Sequence, residues 1–213
     1  MNAAATRERI VEAADQLFYR QGFEHTSFSH IAAAVRISRG NFYYHFKSKD
    51  EILDAVIEAR LANTRKMLKQ WEIEGKTPEE RIRSFIHILL VNGEKIKRYG
   101  CPVGTLCSEL AKLGHAALPE ANALFTLFRI WLRRQFEALG RKADADALAM
   151  HLLARSQGVA TLANAFSDQA FIEQEVRHMC EWLRSCVPPV SGTDGTGKSG
   201  GRDYGRGTEQ PDC

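Results

Sequence analysis

One stretch constrains this chain more than any other: residues 28–46, FSHIAAAVRISRGNFYYHF. Phe28, Ile31, Ala32 and Val35 fall at i, i+3, i+4 and i+7, the spacing of one helical face. The small side chains of Ala32, Ala33 and Ala34 let a second helix approach closely. Arg36 and Ile37 break the pattern. Ser38 then stands at an N-cap position, where its hydroxyl can accept a hydrogen bond from the backbone N–H of Gly40 or Asn41. The helix that follows turns Phe42 and Phe46 inward, which leaves Arg39, Gly40, Asn41, Tyr43, Tyr44, His45 and Lys47 facing solvent or a partner.

That exposed set suits DNA. Arg and Lys bring charge to phosphates, Asn reads or positions, and a tyrosine reaches a phosphate with its hydroxyl while its ring packs flat on a sugar. Gly40, near the helix start, lets the backbone come close to a phosphate, where the helix N-terminus is partly positive. Helical hairpins are common, so the shape alone says little. Two adjacent outward tyrosines beside Arg39 and Lys47 are more than solvation requires.

Residues 7–53 resemble the N-terminal domain of the TetR family of transcriptional repressors. The resemblance is carried by RERIVEAADQLFYRQGFEHTS at 7–27, IAAAVRISRGNFYYHF at 31–46 and KSKDEIL at 47–53, with GNFYYHFKSK the most specific run. The remainder is similar only in length and helical plan. The resemblance implies an all-α protein, with an N-terminal three-helix helix-turn-helix domain at 1–50 and a larger helical effector-binding and dimerisation domain at 51–187. It also implies that a hydroxyl at Thr26 or Ser27 meets a phosphate and that Lys49 contacts the DNA backbone.

With 213 residues, 44% of them hydrophobic, the chain can fill two cores. Its net charge is only +3, so affinity for nucleic acid must come from a local patch. No run approaches the roughly 20 apolar residues of a membrane span, and no signal-peptide core is seen at the start. Five cysteines without a regular framework fit a reducing compartment better than a disulfide scaffold. A cytoplasmic protein with no membrane partner is expected.

A loose arm is expected at 1–5 and a helix over 6–21, ended by Gly22. Phe23 plugs the next corner, and Thr26 or Ser27 caps the second helix. His25 and His30 read as ordinary surface residues. Ser48 to Glu51 form a capping box that opens a long fourth helix striped by Ile52, Leu53, Val56, Ile57, Leu61, Thr64 and Leu68. A shift in this helix would change the spacing of two heads in a dimer. Thr77, Pro78 and Glu80 start a helix that runs to about Lys97. Further helices are expected at 103–113, from Pro119 to a stop at Gly140, at 144–165, and from Ser167 or Asp168 onward. The last two, mostly apolar, are the expected homodimer surface, as the resemblance also implies; the alternative is that they bury their faces within the monomer, but two heads are needed to span one turn of duplex. Residues 188–213 are rich in Gly, Ser, Thr, Pro and charge, which predicts a disordered tail. Lys198, Arg202 and Arg206 could bring that tail to DNA.

The segment GCPVGTLC at 100–107 resembles a Gly-Cys-Leu-type segment in a branch of TetR regulators, some of which respond to electrophiles or oxidants through the cysteine. Pro102 stands where Leu is commoner. Cys101 precedes a helix N-terminus, whose dipole favours thiolate, and Lys97 and Arg98 lie close in sequence. A free cysteine is equally at home as a small buried hydrophobe. Cys101 and Cys107 are six apart, which is poor geometry for a bridge within one helix. Cys180 and Cys186 read as packing residues. The other trigger is a non-covalent apolar effector in a pocket lined by Phe85, Leu89, Tyr99, Leu106, Phe128, Trp131 and Asn164.

There is no phosphate loop, dinucleotide fingerprint or nucleophile elbow, and no Cys/His cluster has zinc-site spacing. A Cys101–His87 or Cys107–His115 pair would need geometry to support it. No enzyme activity, cofactor or metal is expected. The expected function is a ligand-responsive regulator, a homodimeric repressor released from a near-palindromic operator by a small molecule or by thiol modification. The alternative is a helical protein-interaction scaffold, or a regulator that acts without DNA release; steep salt dependence would separate DNA binding from the scaffold.

Overall fold

The computed structural model describes residues 3–187. The tail read at 188–213 lies outside the described residues. Among those described there are ten α-helices and no strand. The first helix, α1 (Ala3–Gln21), starts three residues earlier than the pattern suggests, so the expected loose arm is helical where it is described.

α1, α2 (Phe28–Val35), α3 (Arg39–His45) and the start of α4 (Lys49–Glu74) form the head. Ile10, Phe18, Ile31, Val35, Phe42, Phe46, Ile52 and Val56 are buried in it. The α2–α3 turn is made by Arg36 in the left-handed region, φ 55°, with its N–H bonded back to Ala33 O at 3.2 Å. Ser38 Oγ accepts the Asn41 N–H at 3.3 Å and so caps α3. Ser27, not Thr26, caps α2, and His30 completes a capping box by accepting the Ser27 N–H on Nδ1 at 3.3 Å. His30 is therefore a structural residue and not the bystander its sequence position suggests. At α4, Ser48 accepts the Glu51 N–H at 3.1 Å, but the Glu51 carboxylate reaches past Ser48 to the N–H of Lys47 at 2.7 Å.

The remainder comprises α5 (Pro78–Val91), α6 (Gly93–Tyr99), α7 (Pro102–Leu113), α8 (Leu118–Ala138), α9 (Ala145–Phe166) and α10 (Gln169–Cys186). α8 lies along α9, and α10 packs on α5. Leu68, Ile82, Ile86, Leu132, Phe136, Leu152, Ile172, Met179 and Leu183 share one buried cluster here. The helix expected to continue to Lys97 instead breaks at Asn92, whose Nδ2 donates to Ile88 O at 3.1 Å. Gly93 follows it, buried against Gln169, where a Cβ would come within 3.0 Å of Oε1.

The head does not close its core alone. Ile10, Phe18, Phe42 and Ile52 belong to one cluster with Leu106, Cys107 and Leu110 of α7 and with Ala121 of α8. Polar contacts follow the same route. The Glu109 carboxylate on α7 accepts the N–H groups of Phe23 (2.9 Å) and Glu24 (3.0 Å) in the α1–α2 turn. Lys49 closes that turn from the other side, donating to Phe23 O (3.1 Å) and Glu24 O (3.3 Å) with its ammonium 4.2 Å from the Phe23 ring centre. Tyr19 donates to Gly100 O at 2.8 Å, and Arg60 donates to Pro102 O at 2.6 Å and to Asp15 at 2.6 Å.

Charge-assisted hydrogen bonds contribute about 1.5–3 kcal/mol each when one partner is removed. Glu109→Ala should therefore destabilise the chain by roughly 2 kcal/mol, and its loss of the head–α7 clamp should appear as faster amide exchange at Phe23 and Glu24 than in the parent. Unchanged exchange at those two amides would show that the clamp does not hold the head.

Candidate nucleic-acid interface and effector cavity

α3 is short and is held to the head by Phe42, which is buried, and by Tyr43, whose ring meets Phe28 edge-on at 5.4 Å. Its other face is open. Arg39, Gly40, Asn41, Tyr44 and Lys47 are exposed, and Tyr44 retains 71% of its surface. His45 is half-buried, with its ring 5.1 Å from that of Tyr44. Lys47 donates back to Tyr43 O, and Arg39 reaches Ser29 Oγ at 3.4 Å, which orients both cations along the same face. A Cβ added at Gly40 would meet nothing within 4 Å, so nothing inside the protein demands glycine there.

Two residues of the expected set are turned inward. Thr26 is 1% exposed, with its hydroxyl donating to Gly22 O at 2.7 Å, so burial removes it from any phosphate contact. Lys49 is half-buried and commits its ammonium to the carbonyls of Phe23 and Glu24. Ser27 and Ser38 use their hydroxyls as caps.

A cavity of about 170 Å³ lies between α4, α5, α6, α7, α8 and α9, with Ile96 the contribution of α6. Phe85, Ile88 and Leu89 of α5 and Phe125 and Phe128 of α8 form its apolar walls, and Met67 and Thr64 of α4 close one side. Cys101, Pro102 and Val103 make its roof, and Leu153, Ser156, Gln157 and Ala160 of α9 its floor. An open groove of about 330 Å³ between α7 and α9 shares Cys101, Phe125 and Gln157 with the cavity, so these three side chains form the partition between the two spaces. Of the expected lining residues, Phe85, Leu89, Phe128 and Cys101 face the cavity, while Asn164, Cys107 and again Cys101 border the groove.

Tyr99, Leu106 and Trp131 line neither space. Tyr99 packs on Tyr19 with ring centres 5.4 Å apart, and Leu106 belongs to the head cluster. Trp131 donates its indole N–H to Glu72 at 2.9 Å beside Trp71. Ser156 and Gln157 escaped the sequence reading, although adjacent polar residues inside the apolar run of α9 are a signal that could have found them.

The cysteines differ in exposure. Cys101 is half-exposed and caps α7, its Sγ accepting the Gly104 N–H at 3.5 Å. Cys107, Cys180 and Cys186 are buried. Burial, followed by the nearby Cys101, pushes the Cys107 thiol up to about 11. Lys97 is engaged with Glu94 at 2.5 Å. Neither Cys/His pair assembles: His87 Nε2 lies 3.7 Å from Cys180 Sγ, and His115 faces Asp50 at 3.4 Å and the Phe23 ring at 5.1 Å. Among the described residues, no group of three His, Cys, Asp or Glu could hold a metal ion, and no helix is long and apolar enough to cross a membrane.

A helix-turn-helix head with an open recognition face, joined to a helical body, is the architecture of a DNA-binding transcriptional regulator. Residues 10–56 match the model of the bacterial regulatory proteins of the tetR family. An uncharacterised HTH-type transcriptional regulator of Lactococcus lactis is 29% identical over 176 residues, covering 81% of this chain and 90% of that protein. The HTH-type transcriptional repressor DhaR of Mycobacterium is 24% identical over 168 residues, covering 74% and 82%. The crystal structure of a TetR transcriptional regulator from Legionella pneumophila superposes with a TM-score of 0.73 at 27% identity, covering 82% of this chain and 95% of that one. Residues 10–56 thus carry the tetR-family DNA-binding head, and over most of its length the chain resembles TetR-type transcriptional regulators.

Exposure and the raised Cys107 thiol predict an order of reactivity. Iodoacetamide at neutral pH should modify Cys101 well before Cys107, Cys180 or Cys186, as read by peptide mapping over time. Equal rates at Cys101 and Cys107 would contradict the burial seen here.

Proposed function

We propose that this chain is a homodimeric repressor that leaves a near-palindromic operator when a small molecule enters the body of the protein. The observation that carries the reading is the open face of α3, where Tyr44 is exposed and Gly40 has no internal reason to be glycine. In this reading Arg39, Asn41, Tyr43, Tyr44, His45 and Lys47 enter the major groove, while Ser27, Ser38 and the backbone at Gly40 meet phosphates. Lys49 acts by fixing the α1–α2 turn that presents Ser27. The head comprises residues 1–50 and the effector and dimerisation domain residues 51–187, and the name of the relative DhaR supports repression over activation.

Dimerisation through α9 and α10 is supported by the surface of α9. Ala147, Met150, His151, Ala154, Gly158, Thr161, Leu162, Ala165 and Phe166 are exposed and fall along one side of the helix, with no Asp, Glu, Lys or Arg among them. Such a stripe is costly to leave in water, and a second copy of the same stripe covers it. The charged residues of α10 that remain outside, Glu173, Arg177, Glu181 and Arg184, would flank that seam.

A second trigger is favoured by the place of Cys101. It is half-exposed, caps α7 and stands in the partition between cavity and groove, so an adduct on its sulfur would disturb the same roof that a bound molecule pushes.

Two substitutions test these readings. Gly40→Ala should leave stability unchanged or raise it by up to roughly 1 kcal/mol, because alanine is the better helix former. It should weaken binding to the chain's own upstream DNA in a low-salt mobility shift, since the added methyl blocks a phosphate. Equal affinity would remove the backbone–phosphate contact at Gly40. A Cβ at Gly158 also meets nothing within 4 Å, so Gly158→Trp should fold normally yet run as a monomer in size-exclusion light scattering. A dimer that survives this change would place the interface elsewhere.

A further inference from the structure

We infer that the effector is an uncharged molecule of about one aromatic ring, seated in the cavity under the 101–103 roof with an uncharged hydrogen-bonding end at Gln157. This deepens the ligand-release reading above and rests on it. Charge is the first constraint. None of the sixteen residues around the cavity is Asp, Glu, Lys, Arg or His. A carboxylate or ammonium taken into this space would lose its water and find no counter-charge, at a cost far above what the apolar walls return.

Size is the second constraint. A cavity near 150 Å³ lined by aliphatic and aromatic side chains holds benzene, and the space here is about 170 Å³. Phe85, Phe125 and Phe128 supply ring faces and edges on one side, and Ile88, Leu89 and Leu153 complete the apolar shell. One ring fits; a fused polycycle does not fit without displacing a wall.

Orientation is the third. The polar groups on the wall are Thr64, Asn92, Ser156 and Gln157. Asn92 Nδ2 is spent on Ile88 O, and Ser156 Oγ is spent on Leu153 O at 2.7 Å. The Gln157 carboxamide, whose Nε2 makes only a long bond to Ser156 Oγ at 3.5 Å, rests on Gly104, where a Cβ would lie 2.5 Å from its Oε1, and it borders both cavity and groove. A hydroxyl or carbonyl on the ring therefore meets a carboxamide that can donate or accept. Any longer substituent leaves past Gln157 into the groove, among Thr105, Ser108, Thr161 and Asn164.

The test uses the full chain, with phenol, benzoate, benzylammonium and toluene as probes in titration calorimetry at neutral pH, and the same probes added to the protein on its own upstream DNA. Phenol should bind at least tenfold tighter than either charged ring. Ala160→Leu, or Ala160→Val if the larger change does not fold, should reduce phenol binding at least tenfold by filling the floor. Gln157→Leu should weaken phenol several-fold and leave toluene unchanged. Benzoate or benzylammonium binding as tightly as phenol would overturn the inference, as would phenol binding that ignores the change at Ala160. Equal loss of phenol and toluene in Gln157→Leu would overturn the orientation. Should a charged ring alone bind and release DNA, ligand release stands and the chemical class falls. Should phenol bind as described without changing DNA occupancy, the class stands and release by this site falls.

Discussion

Two carbonyl groups of one tight turn are held from outside by long side chains, and much of the structure hangs on them. Tyr19 of α1 bonds Gly100 O, and Arg60 of α4 bonds Pro102 O while also gripping Asp15 of α1. The turn itself can be made only with glycine at its first position, because Gly100 has φ +77° and a Cβ there would lie 2.8 Å from Thr105. Cys101 then caps α7, and Pro102 takes the first helical position, where its missing N–H costs nothing. The side chains of 101–103 roof the cavity while the carbonyls of 100 and 102 point to the head. One short piece of chain thus touches both sites. Burial pushes the Tyr19 hydroxyl up to about 12.

The magnitudes suit a switch. Each neutral hydrogen bond contributes about 0.5–1.5 kcal/mol net, and one with a charged partner about 1.5–3 kcal/mol. Disturbing the pair at this turn therefore moves a free energy comparable to typical allosteric couplings of about 1–3 kcal/mol. The head needs little more, because its affinity for DNA would come from a few groups on one short helix. A net charge of +3 gives no broad attraction. A small tilt that lifted Tyr44 and Lys47 out of the groove would remove much of what holds the proposed complex.

The head and its caps were legible in the sequence because their determinants are local. Periodicity places Phe42 and Phe46, and a Ser three residues before a free N–H places each cap. Failures occurred where a distant residue decides. Thr26 and Ser27 are equivalent as candidates until the fold turns Thr26 toward Gly22. The break at Asn92 needs Gln169 against Gly93, from another helix. Aromatic character marked Tyr99 and Trp131 as pocket residues, yet Tyr19 and Glu72 claim them. The cavity was the least legible part, since it is a space left by six helices and no spacing along one helix encodes it. Its polar corner was written in the sequence as Ser156 and Gln157 within an apolar run, but only the packing shows that those side chains face inward.

The long helix α4 and the shorter α7 give the head two attachments that act in parallel. α4 runs 26 residues, about 39 Å at 1.5 Å per residue, with Ile52, Leu53 and Val56 in the head cluster and Leu68 in the body cluster. Anchored at both ends, it would carry a push at Thr64 or Met67 toward the head in the proposed ligand release. α7 is tied to the head through Glu109 and to the cavity through Pro102 and Val103. Under the proposed ligand release, a molecule that wedged Thr64 away from Val103 would drive the two attachments apart. Since the α1–α2 turn sits on α7 while α4 leaves the head at its far side, the response that preserves both cores is rotation of the head as a body. In a dimer joined at α9 and α10, which lie behind the cavity floor, that rotation changes the distance between two recognition helices without unfolding either one.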